Sequence, residues 1–256
     1  MEIFGVSMPA LLSQLLLGLV NGSFYAILSL GLAVIFGLLN VINFAHGALF
    51  MMGAVLSWMA MTYFGINYWL MLVLAPLVVG VFGVVIEKLL LRLVYKLDHL
   101  YGLLLPLGIT LLIEGVFRSI YGVSGLGYDT PELLEGATNL GFMMLPNYRA
   151  WVVVASIVVC LATWFMIEKT RLGAYLRAGT ENPRLVEAFG VNVPVMITLT
   201  YAFGAGLAAF AGVLAAPVYQ VSPLMGQNLI IVVFAVVVIG GMGSIMGSII
   251  TGLGLG

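Results

Sequence analysis

EKTRLGAYLRAGTENPRLVEAFGVNV, running from Glu168 to Val193, is the one long polar and basic interval in a chain that is otherwise almost uncharged. It carries four of the nine Lys and Arg residues, namely Lys169, Arg171, Arg177 and Arg184, and long apolar runs flank it on both sides. Within it Asn182 is a good helix N-cap, Pro183 suits the first helical position and Gly190 is a natural stop. A helix so bounded has room for about two turns and cannot cross a bilayer. It reads as a helix lying at a membrane surface, where another protein can grip it.

The flanking runs fix the class. The 256 residues are 63% hydrophobic and 7% charged, against about 25% charged in an ordinary soluble domain. Residues 3–86 and 188–256 contain no Asp, Glu, Lys or Arg. The chain is therefore expected to be all-α, a polytopic transmembrane helical bundle forming a single domain over 1–256. Each crossing of a hydrocarbon core about 30 Å thick takes roughly 20 apolar residues. Spans are predicted near 9–38, 47–64, 68–90, 101–120, 150–167, 194–217 and 227–241. An eighth begins near 245 and is incomplete where the chain stops. MEIFGVSMPA lacks the basic start of a signal peptide, so the first apolar segment is expected to remain as a membrane helix.

Basic residues mark the cytoplasmic side. Lys88, Arg92 and Lys96 fall between the third and fourth spans, and the 168–193 interval falls between the fifth and sixth. The 121–148 segment holds Asp129, Glu132 and Glu135 with no basic residue, and is expected outside, as is the N-terminus.

Several features inside the spans invite a role. Asn21-Gly22 predicts a tilt or break in an over-long first span. GLLNVINFAHG, Gly37 to Gly47, gathers Asn40, Asn43 and His46 between apolar flanks. APVYQVSPLMGQN, Ala216 to Asn228, interrupts a later run. By this topology the first interruption faces inward and the second outward, as in an inverted repeat. Polar groups at such depth are tolerated where protein or a water-filled cavity satisfies them. Asn40, Asn43 and His46 thus either pin a helix break or line a transport path. Glu114 lies within the fourth span with Arg118 four residues on, a spacing that predicts an ion pair on one helix face. A path-lining role for Glu114 is the second reading. Small residues four apart, Gly18 with Gly22, Gly204 with Ala208 and Gly212, and Gly243 with Gly247, let helices approach closely.

Other chemistries find no support. Cys160 stands alone and His46 lacks a second ligand at metal spacing, so neither a disulfide nor a zinc site is expected. No patch points to nucleic acid. GGMGS, Gly240 to Ser244, is a kink and not a phosphate loop, because no G-x-x-x-x-G-K-[ST] occurs. No catalytic constellation is present, so no enzyme and no cofactor is expected. ATP, if it drives this protein, is hydrolysed by another subunit.

Three segments in order carry a family resemblance. NGSFYAILSLGLAVIFGLLNVINFAHGALFMMGA, Asn21 to Ala54, resembles the N-terminal signature of branched-chain amino acid ABC importer permeases of the LivH type. RAGTENPRLVEAFGVNV, Arg177 to Val193, resembles that family's ATPase-contact loop, and VVVIGGMGSIMGSIITG, Val236 to Gly252, its C-terminal Gly-rich segment. The resemblance implies a type II importer-like bundle in a bacterial inner membrane. The partners it implies are a related permease of the LivM type, two cytoplasmic ATPases and a periplasmic binding protein. It implies an ATPase contact through Arg177, Glu181, Asn182, Arg184, Leu185, Phe189 and Gly190. Relatives of this architecture that carry urea or short-chain amides keep that substrate class open. A stand-alone channel or ion-coupled carrier is the alternative of a different class, and only Glu114 is placed to serve it.

Overall fold

A computed structural model describes residues 2–3, 6–39, 43–95, 97 and 99–256, without the side chains of Glu2, Ile3, Val6, Leu38, His99 and Thr180. After a short hairpin of β1 (Glu2–Ile3) and β2 (Val6–Ser7), α1 runs over Met8–Leu39 and α2 over Ala45–Phe64. Next, α3 (Tyr68–Ile86) continues through a π-helical turn, Glu87–Leu91, into α4 (Arg92–Val94). Then come α5 (His99–Tyr121), a hairpin of β3 (Ala137–Asn139) and β4 (Met144–Pro146), and α6 (Asn147–Lys169). The chain continues as α7 (Arg171–Glu181), α8 (Pro183–Ala188), α9 (Val193–Ala215), α10 (Met225–Gly240) and α11 (Ile245–Leu255). Among the described residues six helical segments are long and apolar enough to cross a membrane.

Two shorter apolar helices, α10 and α11, lie where the last two spans are predicted, at 227–241 and from 245. At 16 and 11 residues, α10 and α11 reach only about 24 and 17 Å at 1.5 Å per residue. With the six long helices they account for the predicted run of about eight apolar helices, the eighth incomplete. Of the tilt or break expected at Asn21-Gly22, no break is present, since α1 is continuous for 32 residues. Asn21 does not need a break to be satisfied, because its Oδ1 accepts the Tyr219 hydroxyl at 3.0 Å. Gly22 serves packing, for a Cβ there would lie 2.8 Å from the Leu253 carbonyl oxygen. A helix of this length exceeds the core thickness and fits by tilting.

At the centre, α9 packs on α1, α2 and α3. Small residues bring these backbones together, and all six glycines singled out for packing find their partners within the chain. Gly18 and Gly22 meet the end of α11 and Gly204 meets Gly31 and Ile35. Gly212 meets Phe50, Gly243 meets Gly37, and Gly247 meets Gly240. The α3–α9 seam was not foreseen. It is made by Gly83, where a Cβ would lie 2.9 Å from that of Ala205, and by Gly80 against Ala202.

The two ends of the bundle differ in charge. At the start of α9, Pro194 and Thr198 are bonded by Arg92; Lys88, Lys169, Arg171, Arg177 and Arg184 share this basic end, and Lys96 lies outside the described residues. Beyond the other end of α9, Val221 pairs with Leu126 of the loop that carries Asp129, Glu132 and Glu135. The sequence placed one helix in the 168–193 interval, but there are two. Leu172, Tyr175, Leu176 and Gly179 recur at helical spacing along α7, giving it an apolar stripe among the basic residues. That pattern suits a helix lying in a membrane interface.

Candidate functional site

The α1–α2 interruption is held from inside the bundle. The Asn43 side chain accepts the Ala45 N–H at 3.2 Å and donates to the Tyr201 hydroxyl at 3.1 Å. His46 Nε2 lies 3.0 Å from the Leu28 carbonyl oxygen. A carbonyl only accepts, so Nε2 carries the proton and Nδ1 is left as a bare acceptor; Nδ1 has no partner. With 2% and 0% of their surfaces exposed, Asn43 and His46 line no open space. Both side chains hold the break from within the protein, as helix-free backbone at this depth requires. Asn40 lies outside the described residues.

Glu114 is placed otherwise. Over the first turn of α2, between α5 and α10, lies a cavity of about 50 Å³. Its polar walls are Glu114, Thr110 and Gln227, and its apolar walls are Phe44, Leu107, Leu111 and Ile230, with Gly47 beneath. The Thr110 hydroxyl ties α5 to this floor, lying 3.2 Å from the Phe44 carbonyl oxygen and 2.9 Å from that of Pro106. Gly47 permits the close approach of α10, since a Cβ would lie 2.8 Å from the Gly226 carbonyl oxygen. Glu114 is 6% exposed, and its Oε1 is buried without a hydrogen-bond partner. The predicted ion pair with Arg118 is not formed. Among the described residues the ion pairs are Glu87–Arg92 and Glu168–Arg177. Glu114 is turned into the cavity, while Arg118 is exposed one helical turn nearer the acidic end.

Gln227 and Asn228, in the first turn of α10, are exposed. Gln227 is thirteen residues before Gly240, the basic end of α10, and Glu114 is fifteen residues after His99, the basic end of α5. Both therefore sit about 20 Å above the basic end. Carboxamides at that depth are not stable against hydrocarbon and must face protein or water. Toward the basic end, the Phe44 and Phe234 rings approach to 6.3 Å between centroids. The arrangement is a groove with a polar patch above an aromatic pair.

At the basic end α8 has the caps its sequence predicts. Asn182 accepts the Leu185 N–H at 3.1 Å, Pro183 occupies the first turn, and Gly190 takes φ +83° while donating to Glu187 O at 2.9 Å. Only Val186 turns inward. Leu185 is 55% and Phe189 80% exposed, beside exposed Glu181 and Arg184. Arg177 is occupied within the chain. It donates to the Ile167 carbonyl at 2.8 Å and lies 3.4 Å from Glu168.

Sequence reasoning passed over Glu87. Its carboxylate is fully buried in the π-helical turn and accepts from the Thr198 hydroxyl at 2.6 Å. It also accepts from Arg92 Nε and Nη2 and from the Tyr95 hydroxyl, each at 3.4 Å. Burial and the Glu87 charge push the Tyr95 phenol well above its usual range, so it stays a donor. Arg92 also donates to Thr198 Oγ1 at 3.0 Å. The cluster fastens the end of α3 to α9 just after α8. In the sequence Glu87 resembles any charge at a span end; its partners lie 111 residues away at Thr198.

Among the described residues no group of three or more His, Cys, Asp or Glu is placed to hold a metal. Comparison with known proteins gives consistent matches. The family described as "Branched-chain amino acid transport system / permease component" matches residues 14–256. The high-affinity branched-chain amino acid transport system permease protein LivH of Escherichia coli K12 is 30% identical over 96% of this chain and 83% of its own length. The corresponding protein BraD of Pseudomonas aeruginosa is 30% identical over 96% and 84%. A probable LivH of Methanocaldococcus jannaschii is 26% identical over 93% and 76%. No solved structure matches.

Proposed function

Because the chain belongs to the branched-chain amino acid transport permease family, we propose that it is the membrane-spanning permease subunit of an ABC importer for leucine, isoleucine and valine. It is a multi-pass membrane protein and a transport component, not an enzyme. In this reading separate ATPases supply the energy and a binding protein delivers the substrate. The second permease is of the LivM type, and the membrane is the bacterial inner membrane with the basic end in the cytoplasm. The α5–α10 groove, closed by the second permease, forms one wall of the translocation path. Leu185 and Phe189 enter a cleft on the ATPase, as helix-in-groove contacts use a few apolar anchors.

The observation that carries the path assignment is the exposure, at membrane depth, of Gln227, which shares a cavity with Glu114, and of Asn228 next to it in sequence. The α7–α8 segment supports the coupling assignment, since a helix as short as α8 is not stable alone and leaves two large apolar side chains uncovered. The test is uptake by proteoliposomes holding both permeases, the ATPases and the binding protein. ATP-dependent accumulation of leucine, isoleucine and valine is expected. Accumulation of urea or acetamide in their place, or uptake that ignores ATP, would overturn the reading.

A further inference from the structure

We propose that Glu114 and Arg118 form a recognition site for the amino acid zwitterion in the α5–α10 groove, Glu114 taking the α-ammonium group and Arg118 the α-carboxylate. The inference rests on the groove being part of the translocation path. Three observations carry it. Glu114 is more than nine-tenths buried, and its Oε1 lacks any partner. It lines a cavity of about 50 Å³, room for one ammonium group, given that a water molecule takes about 30 Å³. Arg118 lies four residues on, the spacing that puts two side chains on one helix face, and is neither bonded to Glu114 nor buried.

Opposite charges at this spacing ordinarily satisfy each other. Here they are apart, so each keeps a bonding capacity for a third group. A buried carboxylate without a partner is costly in a membrane, and so is a zwitterion outside water. Bringing the two together offsets both costs. The order of charges also fixes an orientation: the ammonium group sits deeper and the carboxylate nearer the acidic end. Thr110 and Gln227 add neutral polar groups at the ammonium position, with Leu107, Leu111 and Ile230 as apolar surface for a branched side chain. A neutral amide or urea has no charge to exchange with either residue. The site would therefore add discrimination within the membrane to that of the binding protein.

The test measures direct binding to the assembled transporter in detergent, without binding protein, by saturation-transfer NMR. Its probes are leucine, isocaproate, which lacks the ammonium group, and leucinamide, which lacks the carboxylate. The parent is expected to prefer leucine over either analogue by about tenfold or more, the worth of one charge-assisted hydrogen bond. Glu114→Gln should abolish the preference over isocaproate and keep that over leucinamide. Arg118→Gln should do the reverse. Thermal melting of each variant complex checks folding. If Glu114→Gln assembles poorly, Arg118→Gln, at an exposed position, carries the test alone through leucinamide. Folded variants that keep both preferences would overturn the proposal, as would a parent that transports leucine yet binds all three probes alike. Failure of the parent to take up leucine would instead strike the proposed function itself.

Discussion

Glu87 and Glu114 are both buried carboxylates in transmembrane segments, and they stand in opposite circumstances. Glu87 is met by Thr198 across the α3–α9 seam and by Arg92 and Tyr95 from the turns that follow it. Glu114 has an oxygen with no partner and an adjoining cavity. A fully bonded polar network rigidifies and specifies packing, whereas the Glu114 oxygen, buried without a partner beside a cavity, keeps the capacity to bond a further group. The difference separates the scaffold around α9 from the groove between α5 and α10.

The comparison breaks first if the scaffold carboxylate proves dispensable. Glu87→Ala removes the carboxylate acceptor that Arg92, Thr198 and Tyr95 share. A hydrogen bond to a charged group is worth about 1.5–3 kcal/mol, and the ion pair with Arg92, whose side chain is 43% exposed, adds less because water screens it. The purified permease should melt well below the parent, or fail to accumulate in the membrane. Glu114→Gln should melt at or above the parent, because it removes a carboxylate that has no partner. Equal melting of Glu87→Ala and the parent would erase the distinction.

A smaller effect is expected at α8. Truncating apolar anchors costs on the order of 2 kcal/mol or more in binding. The Leu185→Ala, Phe189→Ala double variant should stay in the membrane at parental levels and lose ATPase on detergent purification. If it retains its ATPase and transports normally, the anchors are elsewhere. If it vanishes from the membrane, the helix packs on the permease, and the exposure of these two side chains is misleading.

The smallest effect tests the pinned break. Asn43→Ala removes hydrogen bonds to Tyr201 and Ala45, worth about 1–3 kcal/mol in a buried site. Melting should drop by a few degrees while uptake per folded molecule stays near the parent. Loss of uptake without loss of stability would place Asn43 on the path instead.

Most of the bundle was legible because a bilayer allows few solutions. Long uncharged runs must be helices, so the six crossings fell within a few residues of their predicted bounds. The caps of α8 were legible because Asn182, Pro183 and Gly190 act locally. What was not legible depended on distant partners. Asn21 looked like a breaker until Tyr219 supplied its bond. The i, i+4 spacing of Glu114 and Arg118 predicted a pair, but the cavity between α5 and α10 decided where Glu114 turned. Asn43 and His46 were recognised as a cluster, and only the position of α9 and Leu28 settled that they face inward. The α7 helix was hidden because its polar composition outweighed a stripe of four residues.

The central claim, that the α5–α10 groove is the aqueous path, is tested most directly by one cysteine. In a Cys160→Ala background, Gln227→Cys in the assembled transporter is challenged with a membrane-impermeant, positively charged thiol reagent. Cysteines at Glu132 and Lys88, exposed at the acidic and basic ends, report the two sides. The account expects Gln227→Cys to react although it lies at membrane depth, and expects substrate-loaded binding protein with ATP to change its rate. Inertness of Gln227→Cys in every state, with both end markers reactive, would contradict it and make the groove a packing surface.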